Sequence, residues 1–120
     1  MAGLADPSEV IRRDRAEKYG VRPYSDVAEM IDSEKLNAVT VATPDPAHLP
    51  VVLAALEAGC HVFVEKPMDV TVEGCAAMVD AARAGKRLLQ VDFHKRFDPF
   101  HAQVREAVAK SNKSVSLLVQ

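Results

Sequence analysis

Three short apolar runs rich in β-branched residues punctuate this chain: Ala38-Val39-Thr40-Val41-Ala42-Thr43, His61-Val62-Phe63-Val64-Glu65 and Leu88-Leu89-Gln90-Val91-Asp92-Phe93. Each is the length of a buried strand, and the first two are apolar on both faces, as parallel strands covered by helices are. Between the runs the spacing turns helical. His48 to Ala58 carries Leu49, Val52, Leu53 and Leu56, tolerates Pro50 in its first turn and stops at Gly59, which suits a left-handed cap. Thr71 is placed to cap a second helix, which carries Ala76, Val79 and Ala82 and stops at Gly85. The junctions Ala58-Gly59-Cys60-His61 and Ala84-Gly85-Lys86-Arg87 each lead into an apolar strand. This is a βαβαβ rhythm, and crossovers of that kind are right-handed.

Upstream, Ser8 is placed to cap a helix from Glu9 to Tyr19 that ends at Gly20, and Ser25 to cap a shorter one from Asp26 to Ile31. Ala2-Gly3-Leu4-Ala5-Asp6 reads as the end of a strand that closes on a carboxylate. Downstream, Asp98-Pro99 combines an N-cap acceptor with a proline whose missing N–H costs nothing at the first helical position. Phe100, Val104 and Val108 then give one apolar stripe, and Val115 to Val119 is strand-like. The fold class is α/β, a parallel sheet with flanking helices.

Composition narrows the function more than the fold. The chain has 120 residues, the size of one domain, with 48% hydrophobic and 27% charged residues. Fifteen Lys and Arg against 17 Asp and Glu leave a net charge of -2, so no basic footprint points to nucleic acid or an anionic membrane. The longest apolar run, Val51 to Leu56, falls far short of the roughly 20 residues that span a bilayer, and the amino end carries Asp6 and Glu9 rather than a signal sequence. A cytoplasmic location is expected. Cys60 and Cys75 are too few for a disulfide scaffold, and no spacing of His and Cys suggests a metal site.

In an open parallel sheet, ligands bind at the carboxyl ends of the strands, so the residues just after each strand are informative. Those positions hold Asp6, then Thr43-Pro44-Asp45-Pro46-Ala47-His48, then Glu65-Lys66-Pro67, then His94-Lys95-Arg96. Together with Ala55-Leu56 to Gly59, His61-Val62 and Arg96-Phe97-Asp98-Pro99, they run in an order and spacing that resembles the nucleotide-binding half of the glucose-fructose oxidoreductase and inositol dehydrogenase family, Gfo/Idh/MocA. The resemblance covers nearly the whole chain.

The resemblance implies an NAD(P)-dependent oxidoreductase that transfers hydride between nicotinamide and a secondary alcohol of a sugar or polyol. Lys66 matches the catalytic lysine that binds the reacting hydroxyl and helps its proton move. Glu65 precedes it and is placed to orient it or to touch cofactor, and the family suggests a cis bond before Pro67. Asp6 matches the acidic residue that takes the adenosine ribose hydroxyls, and its charge favours NAD, with NADP kept open by Arg12 and Arg13 nearby. Thr43, Pro44 and His48 match the loop along the cofactor's pyrophosphate and ribose, and Arg96 the arginine near the nicotinamide and substrate. Residues 1–94 then form a partial Rossmann domain, and 95–120 a connecting helix and the first strand of a truncated substrate domain.

Departures from the family pattern set further expectations. No Gly-x-Gly-x-x-Gly occurs among the five glycines, so the first βα unit with its phosphate-binding turn is absent. The family's aspartate and histidine of the substrate domain would lie past Gln120, so the chain reads as an internal piece, inactive alone. In the Rossmann strand order 3-2-1-4-5-6, losing strand one splits the sheet between the Asp6 strand and the Val39 strand. Alternatively, the Asp6 strand moves over and pairs with the Val39 strand directly. That would close the gap at the loss of the pyrophosphate site, whereas the split sheet exposes an edge that invites association, with a homo-oligomer a candidate state. A catalytically inactive nucleotide-binding or interaction module is the alternative to an enzyme fragment.

Overall fold

A computed structural model describes residues 1–111. Its elements run β1 (Gly3–Ala5), α1 (Glu9–Tyr19), β2 (Arg22–Tyr24), α2 (Val27–Glu34), β3 (Ala38–Val41), α3 (His48–Glu57), β4 (His61–Glu65), α4 (Val72–Gly85), β5 (Leu89–Asp92) and α5 (Pro99–Lys110). Short 3₁₀ turns at Asp45–Ala47 and His94–Phe97 precede α3 and α5. The anticipated strand at Val115 to Val119 lies outside the described residues.

The sheet is divided, as the split arrangement anticipated. β3, β4 and β5 pair in parallel in that order, and β1 pairs in parallel with β2 as a separate two-stranded sheet. Register is set by Val39 against Val62 and Val64 against Val91, and in the small sheet by Leu4 against Pro23. The Asp6 strand therefore does not move across to the Val39 strand. It takes β2 as its partner, a strand that the sequence pattern hides because Pro23 stands in its middle.

The main core lies between the three-stranded sheet and α3 and α4. Val39, Val41, Val62 and Val64 are buried against Val52, Ala55 and Leu56 of α3 and Met78 and Ala82 of α4. One expectation is corrected here. Burial alternates along β3 and β4, so only one face is covered, while Ala38 and Thr40 on the other face are exposed. The apolar sequence prepares both faces, but α3 and α4 pack against each other on the same side.

Helix α2 joins the two sheets. Ile31 enters the main core, while Met30, also buried, lies against β1, where a Cβ built on Gly3 would sit 3.1 Å from Met30 Cγ. Gly3 thus allows a close approach that a side chain would block. Tyr24 of β2 closes the same contact and donates its hydroxyl to Glu34 Oε1, and that carboxylate holds the phenol's pKa above its usual value.

Most caps match the sequence, but Ser8, although it stands at the N-cap of α1, makes no side-chain capping hydrogen bond. Gly20 and Gly59 adopt the left-handed conformation, with φ of 63° and 84°. Thr71 accepts from Gly74 N at 2.9 Å, and Asp98 accepts from Phe100 N at 2.9 Å. Two boundaries differ. Asp26 rather than Ser25 caps α2, accepting from Glu29 N, and α2 continues to Glu34. At the end of α4 the left-handed residue is Lys86, one past Gly85. The stripe of Phe100, Val104 and Val108 does form on α5, and it is exposed among the described residues.

Candidate active site at the carboxyl ends of the strands

Parallel pairing brings the ends of β4 and β5 together, with Glu65 in register with Asp92. Lys66 follows β4 immediately and is exposed, and the Lys66–Pro67 peptide bond is cis. The turn is closed off on its far side by side-chain hydrogen bonds. Asp69 Oδ1 accepts from Thr71 N and from Thr71 Oγ1, both at 2.8 Å, and Thr71 in turn caps α4. Gly74 leaves room for this arrangement, since a Cβ there would overlap the Asp69 carboxylate.

Lys66 opens onto a cleft of about 720 Å³, which it shares with Asp92, Phe93, His94, Lys95, Arg96, His101 and Arg105. The cleft thus joins two residues singled out in the sequence, Lys66 and Arg96. His94 and Lys95 belong to the strand-end segment the sequence pointed to, while His101 and Arg105, four residues apart on one face of α5, were not anticipated. Their signal was positional: α5 starts so soon after β5 that its first turns must lean over the same rim.

The cleft is rich in basic side chains, with Asp92 in its lining and Asp98 beside it. His94 Nδ1 lies 3.9 Å from Asp92, Lys95 Nζ 3.1 Å from Asp98 and His101 Nδ1 3.7 Å from Asp98. The Lys95 contact, joined by the helix N–H groups of Phe100 and His101, lowers the Asp98 pKa to about 2, against a smaller upward push from desolvation. Glu65 turns its carboxylate back to its own neighbour and accepts from Lys66 N at 3.3 Å.

The loop after β3 carries the next group. Pro44 is exposed at the start of the 3₁₀ turn. Thr43 Oγ1 is buried without a hydrogen-bond partner among the described residues. His48, expected along the cofactor, lies inside the molecule instead with no exposed surface. Its Nδ1 lies 2.9 Å from the Pro67 carbonyl and its Nε2 2.9 Å from the Thr43 carbonyl.

Asp6 stands apart from these residues, at the end of β1 in the small sheet. Its Oδ1 accepts from Ser8 N at 2.8 Å, and its main-chain carbonyl accepts from Arg12 Nη1 at 2.6 Å. Arg13 pairs with Glu9 on the exposed face of α1. Cys60 is buried, its thiol donating to the Leu36 carbonyl, and burial raises its pKa.

Known proteins share both this sequence and this geometry. The oxidoreductase family with an NAD-binding Rossmann fold, Gfo/Idh/MocA, matches residues 1–93. The chain belongs to that family. Among curated relatives, an inositol 2-dehydrogenase/D-chiro-inositol 3-dehydrogenase of Shouchella clausii is 38% identical over the whole chain, and an inositol 2-dehydrogenase of Rubrobacter xylanophilus is 39% identical over 78% of it. The chain spans 36% and 27% of the lengths of these two Gfo/Idh/MocA relatives.

Solved structures of similar fold agree. An NAD-binding protein from Listeria innocua superposes with a TM-score of 0.84 at 29% identity, covering 93% of this chain and 33% of that one. The WlbA dehydrogenase from Chromobactrium violaceum, solved with NADH and UDP-GlcNAcA, gives a TM-score of 0.84 at 26% identity over 91% of this chain and 32% of that one. No helix among the described residues is long and apolar enough to cross a membrane.

Proposed function

We propose that this chain is the dinucleotide-binding part of an NAD(P)-dependent dehydrogenase that oxidises a secondary alcohol of a polyol or sugar, with Lys66 as the group that handles the hydroxyl proton. The carrying observation is the placement of Lys66. It follows the central strand of the parallel sheet and opens onto the cleft it shares with Arg96. That is the position where open parallel sheets bind ligands. The names of the relatives, inositol 2-dehydrogenases, support an inositol or a similar polyol.

The residues present fit one end of the dinucleotide. Thr43 Oγ1 is a buried polar atom still lacking a partner at the carboxyl end of β3, and Pro44, Glu65 and Arg96 stand on the same rim. The pyrophosphate end is not provided for, because the sequence holds no Gly-x-Gly-x-x-Gly turn. Asp6 is suited to ribose hydroxyls and repels a 2'-phosphate. With Arg12 turned to the Asp6 carbonyl and Arg13 to Glu9, NAD is favoured over NADP.

The nicotinamide ring, when bound, supplies the hydride acceptor. Lys66 then binds the substrate hydroxyl and takes its proton as the carbon gives up hydride, so that alcohol becomes ketone with atoms and electrons balanced. Arg96, which lines the same cleft, orients the substrate. The chain spans 36% and 27% of the lengths of its two relatives, and the rest of the substrate pocket is assigned to the remaining length. In a protein that joins this chain to the remaining length of its relatives, Lys66→Ala should lower NAD-linked polyol oxidation by about 10²–10⁴-fold while dinucleotide binding persists. Near-normal turnover in that variant overturns the assignment.

A second reading, an inactive nucleotide-binding or interaction module, is favoured by the split sheet alone. It predicts that no extension of the chain restores turnover.

A further inference from the structure

The turn that carries Lys66 is tied to the loop after β3 through a single side chain. His48, at the first position of α3, has no exposed surface and reaches two main-chain carbonyls on different loops. Its Nδ1 lies 2.9 Å from the carbonyl of Pro67, the residue after Lys66, and its Nε2 2.9 Å from the carbonyl of Thr43, which closely follows β3. One imidazole therefore spans the ends of two neighbouring strands. On the same helix Val52, Ala55 and Leu56 are buried as well.

We propose that His48 is a positioning residue for Lys66, acting through an Nδ1–H···O bond to the Pro67 carbonyl. A peptide carbonyl only accepts, so the contact needs an N–H from the ring, and a neutral imidazole has one to give. Placing it on Nδ1 fixes the carbonyl directly after Lys66 and so fixes where the lysine stem leaves the main chain. Nε2 then has only a lone pair to set against the Thr43 carbonyl, so in the neutral ring that 2.9 Å approach is a contact and not a hydrogen bond. An apolar side chain of equal volume would fill the space but leave the Pro67 carbonyl without its buried donor. The importance of this clamp to catalysis rests on the reading of Lys66 as the reacting lysine, but its geometry does not.

Two isosteres separate this role from simple filling. An Asn amide occupies the place of Nδ1, and a Gln amide reaches the place of Nε2. His48→Asn therefore keeps a donor for Pro67 and loses the Thr43 contact, and His48→Gln does the reverse. The test uses the 120-residue chain labelled with ¹⁵N. Long-range ¹H–¹⁵N spectra should show a proton on His48 Nδ1. The amide signals of Lys66 and Met68 should stay near their wild-type positions in His48→Asn and move in His48→Gln, with those of Val62 and Val64 unmoved in both.

A bare Nδ1 overturns the proposal, and so does a His48→Gln spectrum in which Lys66 and Met68 match wild type. Equal displacement of Lys66 and Met68 in both variants overturns it as well, since filling alone then explains the site. If neither variant folds, the wild-type nitrogen spectrum decides the question. Failure here leaves the turnover test on Lys66 untouched, and failure of that test leaves the clamp intact.

Discussion

Truncating Met30 to Ala should loosen the small sheet while sparing the large one. Met30 is 6% exposed, and its Cγ and Sδ lie 3.1 and 3.3 Å from where a Gly3 Cβ would be. It is thus the side chain by which α2 holds β1, while its neighbour Ile31 holds the main core. Removing a buried Met side chain costs about 2–5 kcal/mol, and the lower end applies where the surroundings can collapse. A three-residue strand pair at the surface is such a place. A loss of about 2 kcal/mol corresponds to roughly 30-fold faster exchange through local opening, at about 1.4 kcal/mol per tenfold.

The assay is native-state hydrogen exchange. The Asp6 amide, which donates to the Tyr24 carbonyl at 3.1 Å, should speed up by that factor. The His61 and Val62 amides, which donate to Asn37 and Leu88 carbonyls, should keep their rates. Equal acceleration in both sets would refute the reasoning, because the two sheets would then open as one cooperative unit. So would wild-type protection at Asp6 equal to that at Val62.

Other consequences are open to routine measurement. Thr71→Ala removes the acceptor for Gly74 N and should cost about 1 kcal/mol, a fall in Tm of roughly 4–8 °C, and an unchanged Tm contradicts the cap. Asp98 has a folded pKa of about 2, below its unfolded value of about 3.9, so its support of α5 is complete above that value and is lost as pH falls toward 2. Amide exchange at Ala102 should therefore rise between about pH 4 and 2 beyond the intrinsic pH effect, and a flat corrected profile would count against the cap. Cys75, half-buried, should be alkylated well before Cys60, whose thiol is buried and raised in pKa, and a faster Cys60 would contradict that burial.

Much of this arrangement is legible in the sequence because it is written in local signals. The apolar runs around Val39, Val62 and Leu89, the stops at Gly59 and Gly85 and the caps at Thr71 and Asp98 need no distant partner to be recognised. The order of Thr43, Glu65, Lys66 and Arg96 is readable for the same reason, and the structure brings Lys66 and Arg96 to one cleft. What stayed hidden depends on long-range pairing. β2 contains Pro23 and is recognisable as a strand only through its parallel pairing with β1. The bare face of the large sheet follows from helices that pack on one side only, which an apolar strand cannot announce.

His48 is the instructive case. A histidine at a helix start in a polar loop reads as a surface or ligand-facing group. Its actual partners are main-chain carbonyls 5 and 19 residues away, and such atoms leave no mark in side-chain identity. Asp6 is the converse. Its type and its place at a strand end were readable, but the split of the sheet puts it on a different sheet from Lys66.

Everything proposed for this chain depends on the carboxyl rim of β3, β4 and β5 being the surface that meets the dinucleotide. Amide chemical-shift mapping of the ¹⁵N-labelled chain during an NAD titration tests that most directly. The account predicts weak binding, for want of the pyrophosphate turn, with shifts concentrated at Thr43, Glu65, Lys66 and Arg96. No movement at those four amides, or movement confined to the opposite rim at Asn37, Cys60 and Leu88, would contradict it.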